Sequence, residues 1–216
     1  TGAITTRETV EITQMAEDVG VEAVSVLTPV FISPNNDEMY DHYSYIADSV
    51  DIPVLLYNNP SRTGIRLEAE LVSSLSEVSN IVGIKDSSGD MTLTSEYIRR
   101  TGDDFNVLAG KDTLIYGTLA YGGQGSITAT ANMVPEVPVK IYEEFVKGNT
   151  EAALAAQFEL APLRLCFQLG TFPVVMKEGL KLMGIDVGPT LAPVGEMDPE
   201  KRQELKDVLE DMGALD

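Results

Sequence analysis

Short apolar segments alternate with longer amphipathic segments through residues 22–129 of this chain. The apolar segments are about five residues long and rich in Val, Ile and Leu, which is typical of buried strands. The segments between them are about ten residues long and have helical spacing. This alternation predicts βαβ units, in which parallel strands are connected by right-handed helical crossovers. The predicted strands are 22–27, 53–57, 81–85, 106–109 and 126–129.

Helices are predicted between these strands and after the last of them. Thr5 or Thr6 can cap the first helix, and Glu8 supplies the acid of a capping box. The predicted helices are 5–20, 37–50, 67–76, 92–100, 112–121, 137–147, 150–168, 173–183 and 199–212. The chain is therefore expected to divide into an α/β part, residues 1–134, and a helical part, residues 135–216. By pattern alone, five βα units fit an open doubly wound sheet or part of a (β/α)8 barrel, which has about 250 residues.

Composition excludes several classes of partner. The formal net charge is −19 and the sequence pI is near 4.3, which argues against binding to nucleic acid or to an anionic membrane surface. The acidic residues are spread along the chain, as in a solvated surface, and a halophilic source is one explanation. No stretch approaches the roughly 18 continuous apolar residues of a membrane span, and no signal peptide is recognisable.

The chain has one cysteine, Cys166, and one histidine, His42. Neither a disulfide within the chain nor a Cys/His metal cluster can be built from them, so no metal site is predicted. Cys166 lies in an apolar helical patch and is expected to be a buried structural thiol, which fits a reducing, cytoplasmic compartment. His42 stands between Asp41 and Tyr43 and is expected at the surface.

Lys85 ends the third predicted strand, where α/β proteins place their active sites. Burial lowers the pKa of a lysine, and only the neutral amine attacks a carbonyl. Lys85 is therefore a candidate Schiff-base lysine. The alternative is a lysine that extends from the strand end into solvent.

Tyr57 ends the second predicted strand and Arg62 follows it, and parallel strands bring such ends to one face. The Tyr57 phenol is a candidate proton shuttle for an amine that attacks a carbonyl. Arg62 can bind a carboxylate through two hydrogen bonds, which suits a 2-oxo acid. The alternatives are a half-buried strand tyrosine and a solvated loop arginine.

The segments YNNPSRTG at residues 57–64 and GIKDSSG at residues 83–89 resemble, in this spacing, the dihydrodipicolinate synthase / N-acetylneuraminate lyase family. Further similar segments are 108–112, 122–132 and 170–173, together with Lys177. The resemblance extends over essentially all 216 residues. The spacing of the two main segments is far more specific than either segment alone.

The resemblance implies a (β/α)8 TIM barrel with a C-terminal helical extension, with about three βα units missing before Thr1. It implies a class I aldolase or lyase that binds pyruvate or a related 2-oxo acid as an imine, needs no metal or dissociable cofactor, and assembles as a homodimer or homotetramer. Lys85 is then the imine-forming lysine and Tyr57 the proton-transferring phenol. Arg62 meets the carboxylate of the second substrate, and Gly110 and Ile127 line the pocket.

The chain departs from this family at two places. The Gly-Thr-Thr-Gly-Glu-type segment that binds the pyruvate carboxylate in the family has no counterpart here. Phe31 stands where the synthases have a tyrosine that is donated across the dimer interface, and phenylalanine cannot relay a proton. Three hypotheses follow: a lyase of the dihydrodipicolinate synthase type acting on a 2-oxo acid and an aldehyde, an aldolase or dehydratase of a 2-keto-3-deoxy sugar acid, and a non-catalytic homologue.

Overall fold

A computed structural model describes residues 1–215 of the chain, which form two compact units, residues 1–127 and 128–215. The first unit contains strands and helices, and the second contains helices in its described residues. The division falls seven residues before the expected boundary at 134/135. The assignment of the helical part to the last barrel helix and an extension stays a prediction.

Five parallel strands form one sheet in the first unit, in the order in which they occur along the chain. The strands are β1 Val24–Leu27, β2 Val54–Asn58, β3 Ile81–Asp86, β4 Asn106–Ala109 and β5 Gly125–Ser126. The predicted α/β class and the parallel arrangement are thus confirmed. Sequential order places each strand beside its predecessor, as expected of consecutive βα units.

The last strand is shorter than predicted. Residues 126–129 were expected to be extended, but β5 ends at Ser126. Its partner β4 ends at Ala109, and the Gly110 N–H continues the ladder with β3 by donating to the carbonyl of Asp86 at 2.8 Å. Ile127 makes one more hydrogen bond, to the carbonyl of Ala109, at 2.9 Å. After Ile127 the chain forms the 3₁₀ segment Thr130–Asn132.

The helices of the first unit match the predicted segments to within three residues at most ends. They are α1 Thr6–Asp18, α2 Asn36–Ala47, α3 Pro60–Thr63, α4 Ala69–Leu75, α5 Met91–Arg100 and α6 Ile115–Ala120. Thr5 caps α1 in a capping box with Glu8, as predicted. The short α3 was not predicted and lies inside the polar turn after β2. It ends at Gly64, whose φ of 76° a glycine adopts without strain.

One face of the sheet forms the core of the first unit. Val54, Leu56 and Ile84 are fully buried there against side chains of the helices, including Tyr43 and Tyr97. The alternate positions along the strands point to the opposite face, as the pleat requires, and are only half-buried. These half-buried residues are Ser25, Leu27, Leu55, Tyr57, Lys85, Asn106 and Leu108.

His42 is not at the surface, contrary to the prediction. Only 5% of it is exposed, and its Nδ1 lies 2.9 Å from the hydroxyl oxygen of Thr6. It lies on the buried stripe of α2, with Met39, Tyr43 and Ile46 at helical spacing. The prediction relied on its direct sequence neighbours, Asp41 and Tyr43, and not on this helical spacing. Burial lowers the pKa of His42 to about 4.

The second unit consists of α7 Glu136–Val146, α8 Thr150–Leu165, α9 Val174–Leu182 and α10 Pro199–Asp211. Its buried apolar side chains include Ile141, Leu160 and Leu205. Cys166 is buried, as predicted, and burial raises the pKa of its thiol.

Within residues 1–215, no helix is long and apolar enough to cross a membrane.

Candidate active site

Tyr57 and Lys85 lie side by side at the carboxyl ends of β2 and β3, where the register pairs them directly. The Lys85 Nζ lies 4.3 Å from the centroid of the Tyr57 ring. Both side chains are half-buried on the face of the sheet opposite the core. The structure therefore brings together the two residues predicted to be catalytic, at a distance that suits a cation–π contact.

A register shift between β2 and β3 creates this pairing. Val54 pairs with Ile81, but the next residue, Leu55, pairs with Gly83, so Val82 is an extra residue in β3. Such an insertion moves every later side chain of the strand to the other face. Without it, Tyr57 would pair with Ile84, and Lys85 would point toward the helices.

Gly83 lies at this irregularity. A Cβ added there would lie 2.4 Å from the carbonyl oxygen of Asn106 on β4, which is closer than a Cβ approaches any atom. The glycine thus allows β3 and β4 to approach each other beside the extra residue. A glycine inside an apolar strand is the sequence signal that was available for this bulge.

The Tyr57 phenol has several polar neighbours. The Asn59 Nδ2 donates a hydrogen bond to its oxygen at 3.1 Å. Burial alone would raise the pKa of the Tyr57 phenol, but the Lys85 charge and hydrogen-bond contacts with Ser87, Asn59 and Lys85 outweigh it and hold that pKa below its ordinary value. Sequence analysis had not singled out Asn59 or Ser87.

A buried hydrogen-bond network lies on the other face of the sheet, directly behind the candidate pair. Asp86 is 4% exposed, and its carboxylate accepts from Asn58 Nδ2 at 2.9 Å, Thr94 Oγ1 at 2.6 Å, Ser88 Oγ at 2.9 Å and the Ser88 N–H at 3.0 Å. The Asn58 Oδ1 accepts the N–H of Leu67 at 3.1 Å. A buried carboxylate with this many donors is stable, and it fixes the ends of β2 and β3 relative to each other.

Gly110 borders this site. A Cβ at Gly110 would lie 2.1 Å from the Ser87 hydroxyl oxygen and 2.9 Å from the Asp86 carbonyl oxygen. Only glycine leaves room there for the buried Ser87 side chain. Gly110 thus contacts the neighbours of Tyr57 and Lys85, and its role in lining a substrate pocket stays a prediction.

The structure places Arg62 and Ile127 farther along the same edge of the sheet. Arg62 is exposed on α3, the short helix that follows Tyr57. Ile127 follows β5 and is 41% exposed. Their roles in substrate binding stay predictions.

Phe31 occupies an unusual position in the loop after β1. Its φ is 76°, the one positive value among the non-glycine residues described, and 93% of it is exposed. A bulky side chain in this conformation is uncommon.

The chain is similar to one family in sequence and structure. The model of the Dihydrodipicolinate synthetase family matches residues 1–212. The chain is 41% identical over 211 residues to a 4-hydroxy-tetrahydrodipicolinate synthase from Archaeoglobus fulgidus, covering 98% of this chain and 73% of that protein. It matches the crystal structure of a dihydrodipicolinate synthase from Thermotoga maritima with a TM-score of 0.96 and 29% identity, covering 99% of this chain and 74% of the other. YagE from E. coli, a member of the dihydrodipicolinic acid synthase family crystallised in complex with pyruvate, gives a TM-score of 0.95 and 32% identity, with 99% and 74% covered.

Proposed function

Because the chain belongs to the dihydrodipicolinate synthetase family, we propose that it is a Schiff-base-forming lyase of the 4-hydroxy-tetrahydrodipicolinate synthase type, with pyruvate or a related 2-oxo acid as substrate. Lys85 is the imine-forming residue and Tyr57 the proton-transferring residue. The observation that carries this proposal is the pairing of the two side chains across β2 and β3, with the Lys85 Nζ 4.3 Å from the Tyr57 ring centroid.

The chemistry follows from an amine beside a phenol. The unprotonated amine of Lys85 attacks the ketone carbon of the 2-oxo acid and forms a carbinolamine. The attacking nitrogen gives up one proton and the former ketone oxygen gains it, which completes the carbinolamine. The carbinolamine hydroxyl then takes a second proton from the Tyr57 phenol and leaves as water, so that a protonated imine and the Tyr57 phenolate remain. Tyr57 carries protons between the two atoms as a general acid and base. The resulting protonated imine withdraws electrons, so the carbon next to it gives up a proton to the Tyr57 phenolate and an enamine forms. The enamine carbon then adds to an aldehyde, whose oxygen takes a proton from the Tyr57 phenol. These steps involve no metal or dissociable cofactor.

The second substrate is an aldehyde, and we assign its recognition to Arg62. A guanidinium forms two parallel hydrogen bonds with a carboxylate, so an aldehyde that carries a carboxylate fits this position. Gly110 and Ile127 complete the wall of the pocket.

A specific observation favours a second candidate, an aldolase or dehydratase of a 2-keto-3-deoxy sugar acid. Phe31 has no hydroxyl group with which to join a proton relay.

The five-stranded sheet fits part of a (β/α)8 barrel with its half-buried face turned inward. Eight parallel strands close such a barrel, and three further βα units would complete this sheet. Residues 135–216 would then hold the last barrel helix and a helical extension. We also propose that the chain assembles as a homodimer or homotetramer and that it acts in the cytoplasm. The TM-scores of 0.96 and 0.95 to family structures support the barrel, and the buried single cysteine fits a reducing compartment.

Borohydride trapping tests the proposed function. We expect pyruvate and borohydride together to add a reduced pyruvyl group to the peptide that contains Lys85, as a mass shift that requires both reagents. Lys85→Ala should remove it, whereas Lys177→Ala, which alters a lysine of the second unit, should retain it. An adduct that survives Lys85→Ala would overturn the assignment of the lysine. The complete absence of an adduct would favour a non-catalytic homologue.

Comparing substrates separates the two enzymatic candidates. Aspartate semialdehyde and a panel of sugar-derived 2-keto-3-deoxy acids can be assayed with the same preparation. Turnover of pyruvate with the semialdehyde supports the synthase type. Cleavage or dehydration of a sugar acid without that turnover supports the second candidate.

A further inference from the structure

The Tyr57 phenol has polar neighbours from two different segments. Asn59, two residues after Tyr57, donates a hydrogen bond from Nδ2 to the phenol oxygen at 3.1 Å. Hydrogen bonding to Ser87, two residues after Lys85, is among the causes that lower the pKa of the Tyr57 phenol. Asn59 is half-buried and Ser87 is 4% exposed, so water competes little for the Ser87 contact.

The amide of Asn59 is held in one orientation. Its Oδ1 accepts a hydrogen bond from the Ser61 hydroxyl at 3.0 Å. Because the oxygen of the amide is occupied by Ser61, the NH₂ group faces Tyr57. An NH₂ group only donates, so the phenol oxygen acts as the acceptor in this contact.

A backbone hydrogen bond and the open space beside Gly110 determine the position of Ser87. Its N–H donates to the carbonyl of Asn58 at 2.8 Å, which joins the end of β3 to the end of β2. Its hydroxyl lies in the space that the absent side chain of Gly110 leaves open. Two segments that are each anchored separately therefore meet at one oxygen atom.

We propose that Asn59 and Ser87 form a donor pair that holds the Tyr57 oxygen as an acceptor and stabilises its phenolate form, which makes them positioning residues for proton transfer at Lys85. The proposal rests on the proposed function, in which Tyr57 alternates between phenol and phenolate. Donors aimed at an oxygen stabilise it most when it carries negative charge. The lowered pKa of the Tyr57 phenol agrees with this arrangement. Lys85 is the charged group that faces the phenol, and Asn59 and Ser87 are the polar ones.

The test measures two quantities separately, the titration of the Tyr57 phenol and the rate of imine formation. The ultraviolet titration of Tyr57 is obtained without substrate, as the difference between the protein and its Tyr57→Phe variant. We expect Asn59→Leu and Ser87→Ala each to move this titration to higher pH. Each should also slow imine formation with pyruvate at neutral pH by about tenfold, since a hydrogen bond to a charged group is worth at least about 1.5 kcal/mol. The acid limb of the pH–rate profile should move in the same direction.

Two further variants separate this role from a structural one. Ser61→Ala frees the Asn59 amide to rotate and should give a smaller effect of the same sign. Ser74→Ala, which removes an exposed hydroxyl from α4, should change neither the titration nor the rate. An unmoved Tyr57 titration in both Asn59→Leu and Ser87→Ala would overturn the donor pair, and so would slower rates with an unchanged pH profile. If a lysine adduct forms and the titration does not move, the donor pair fails and the proposed function stands. If the titration moves and no adduct forms, the proposed function fails instead.

Discussion

Asn58 and Asp86, which directly follow the two candidate catalytic residues, are hydrogen-bonded to each other at 2.9 Å on the opposite face of the sheet. Because successive side chains of a strand point to opposite faces, a contact on one face fixes the backbone that carries the next residue on the other. The Asn58–Asp86 bond thus holds the ends of β2 and β3 in the register that pairs Tyr57 with Lys85.

Asp86→Ala should destabilise the protein by about 2–4 kcal/mol, because four donors would lose their acceptor inside the protein. Asp86→Asn keeps the shape and one carbonyl oxygen, and hydroxyl groups can rotate to donate elsewhere, so it should cost less. Urea unfolding measures both. Asp103→Ala, at an exposed position, is the matched control and should be neutral. An Asp86→Ala protein as stable as the control would show that the network does not stabilise the fold.

Tyr57→Phe should slow imine formation by about 10²–10⁴-fold, since the ring remains while the proton-transferring oxygen is lost. Rapid-mixing measurements with pyruvate, together with borohydride trapping, give the rate. Tyr45→Phe removes a phenol that is 64% exposed on α2 and should leave the rate unchanged. Equal rates in the two variants would remove Tyr57 from its role.

Gly83→Ala should destabilise the protein by about 1–3 kcal/mol, because the new methyl group would lie 2.4 Å from a backbone oxygen of β4. The strand irregularity beside it brings Lys85 to the face of Tyr57, so imine formation should fall as well. The control is Gly102→Ala, since a Cβ at Gly102 meets nothing within 4 Å. If both variants unfold at the same urea concentration, the close approach of β3 and β4 is not what requires the glycine.

Arg62→Ala should raise the KM for an aldehyde that carries a carboxylate by about tenfold or more, because a paired set of charged hydrogen bonds is lost. The rate of imine formation with pyruvate should stay the same, since Arg62 is assigned to the second substrate only. Steady-state kinetics with each substrate varied separately make the distinction. Arg7→Ala is the control, because the Arg7 side chain is 86% exposed on α1. A rise in the KM of pyruvate alone would contradict the assignment.

His42 should make the protein less stable in mild acid. Its pKa is about 4 in the folded protein and 6.5 in the unfolded chain, so the unfolded state binds more protons as the pH falls below 6.5. Stability that is present at pH 7 is therefore lost on the way to pH 4, by up to about 3 kcal/mol. Urea unfolding at pH 7, 6 and 5 measures the slope, and His42→Gln should flatten it. The same slope in both proteins would mean that another group controls this pH range.

The periodicity of the sequence determined the secondary structure and the class of fold. Apolar runs such as 54–56, which follows Pro53, and 107–109, which precedes Gly110, are too short for helices, and the segments between the strands bury a stripe at helical spacing. Such signals are local, so the five parallel strands and most of the helices between them were predictable, whereas the short α3 and the early end of β5 were not. The motif residues Tyr57, Arg62 and Lys85 were also identified from the sequence, together with the family that their spacing resembles.

Only the tertiary structure decided which side chains meet. The extra residue Val82 in β3 turns Lys85 toward Tyr57, and the need for glycine at position 83 arises from the backbone of β4. Likewise, burial of His42 depends on which stripe of α2 faces the core. Asn59 and Ser87 come together at one phenol oxygen from segments that are far apart in the chain. Register and packing depend on contacts between distant segments, and the pattern along a single segment does not contain them.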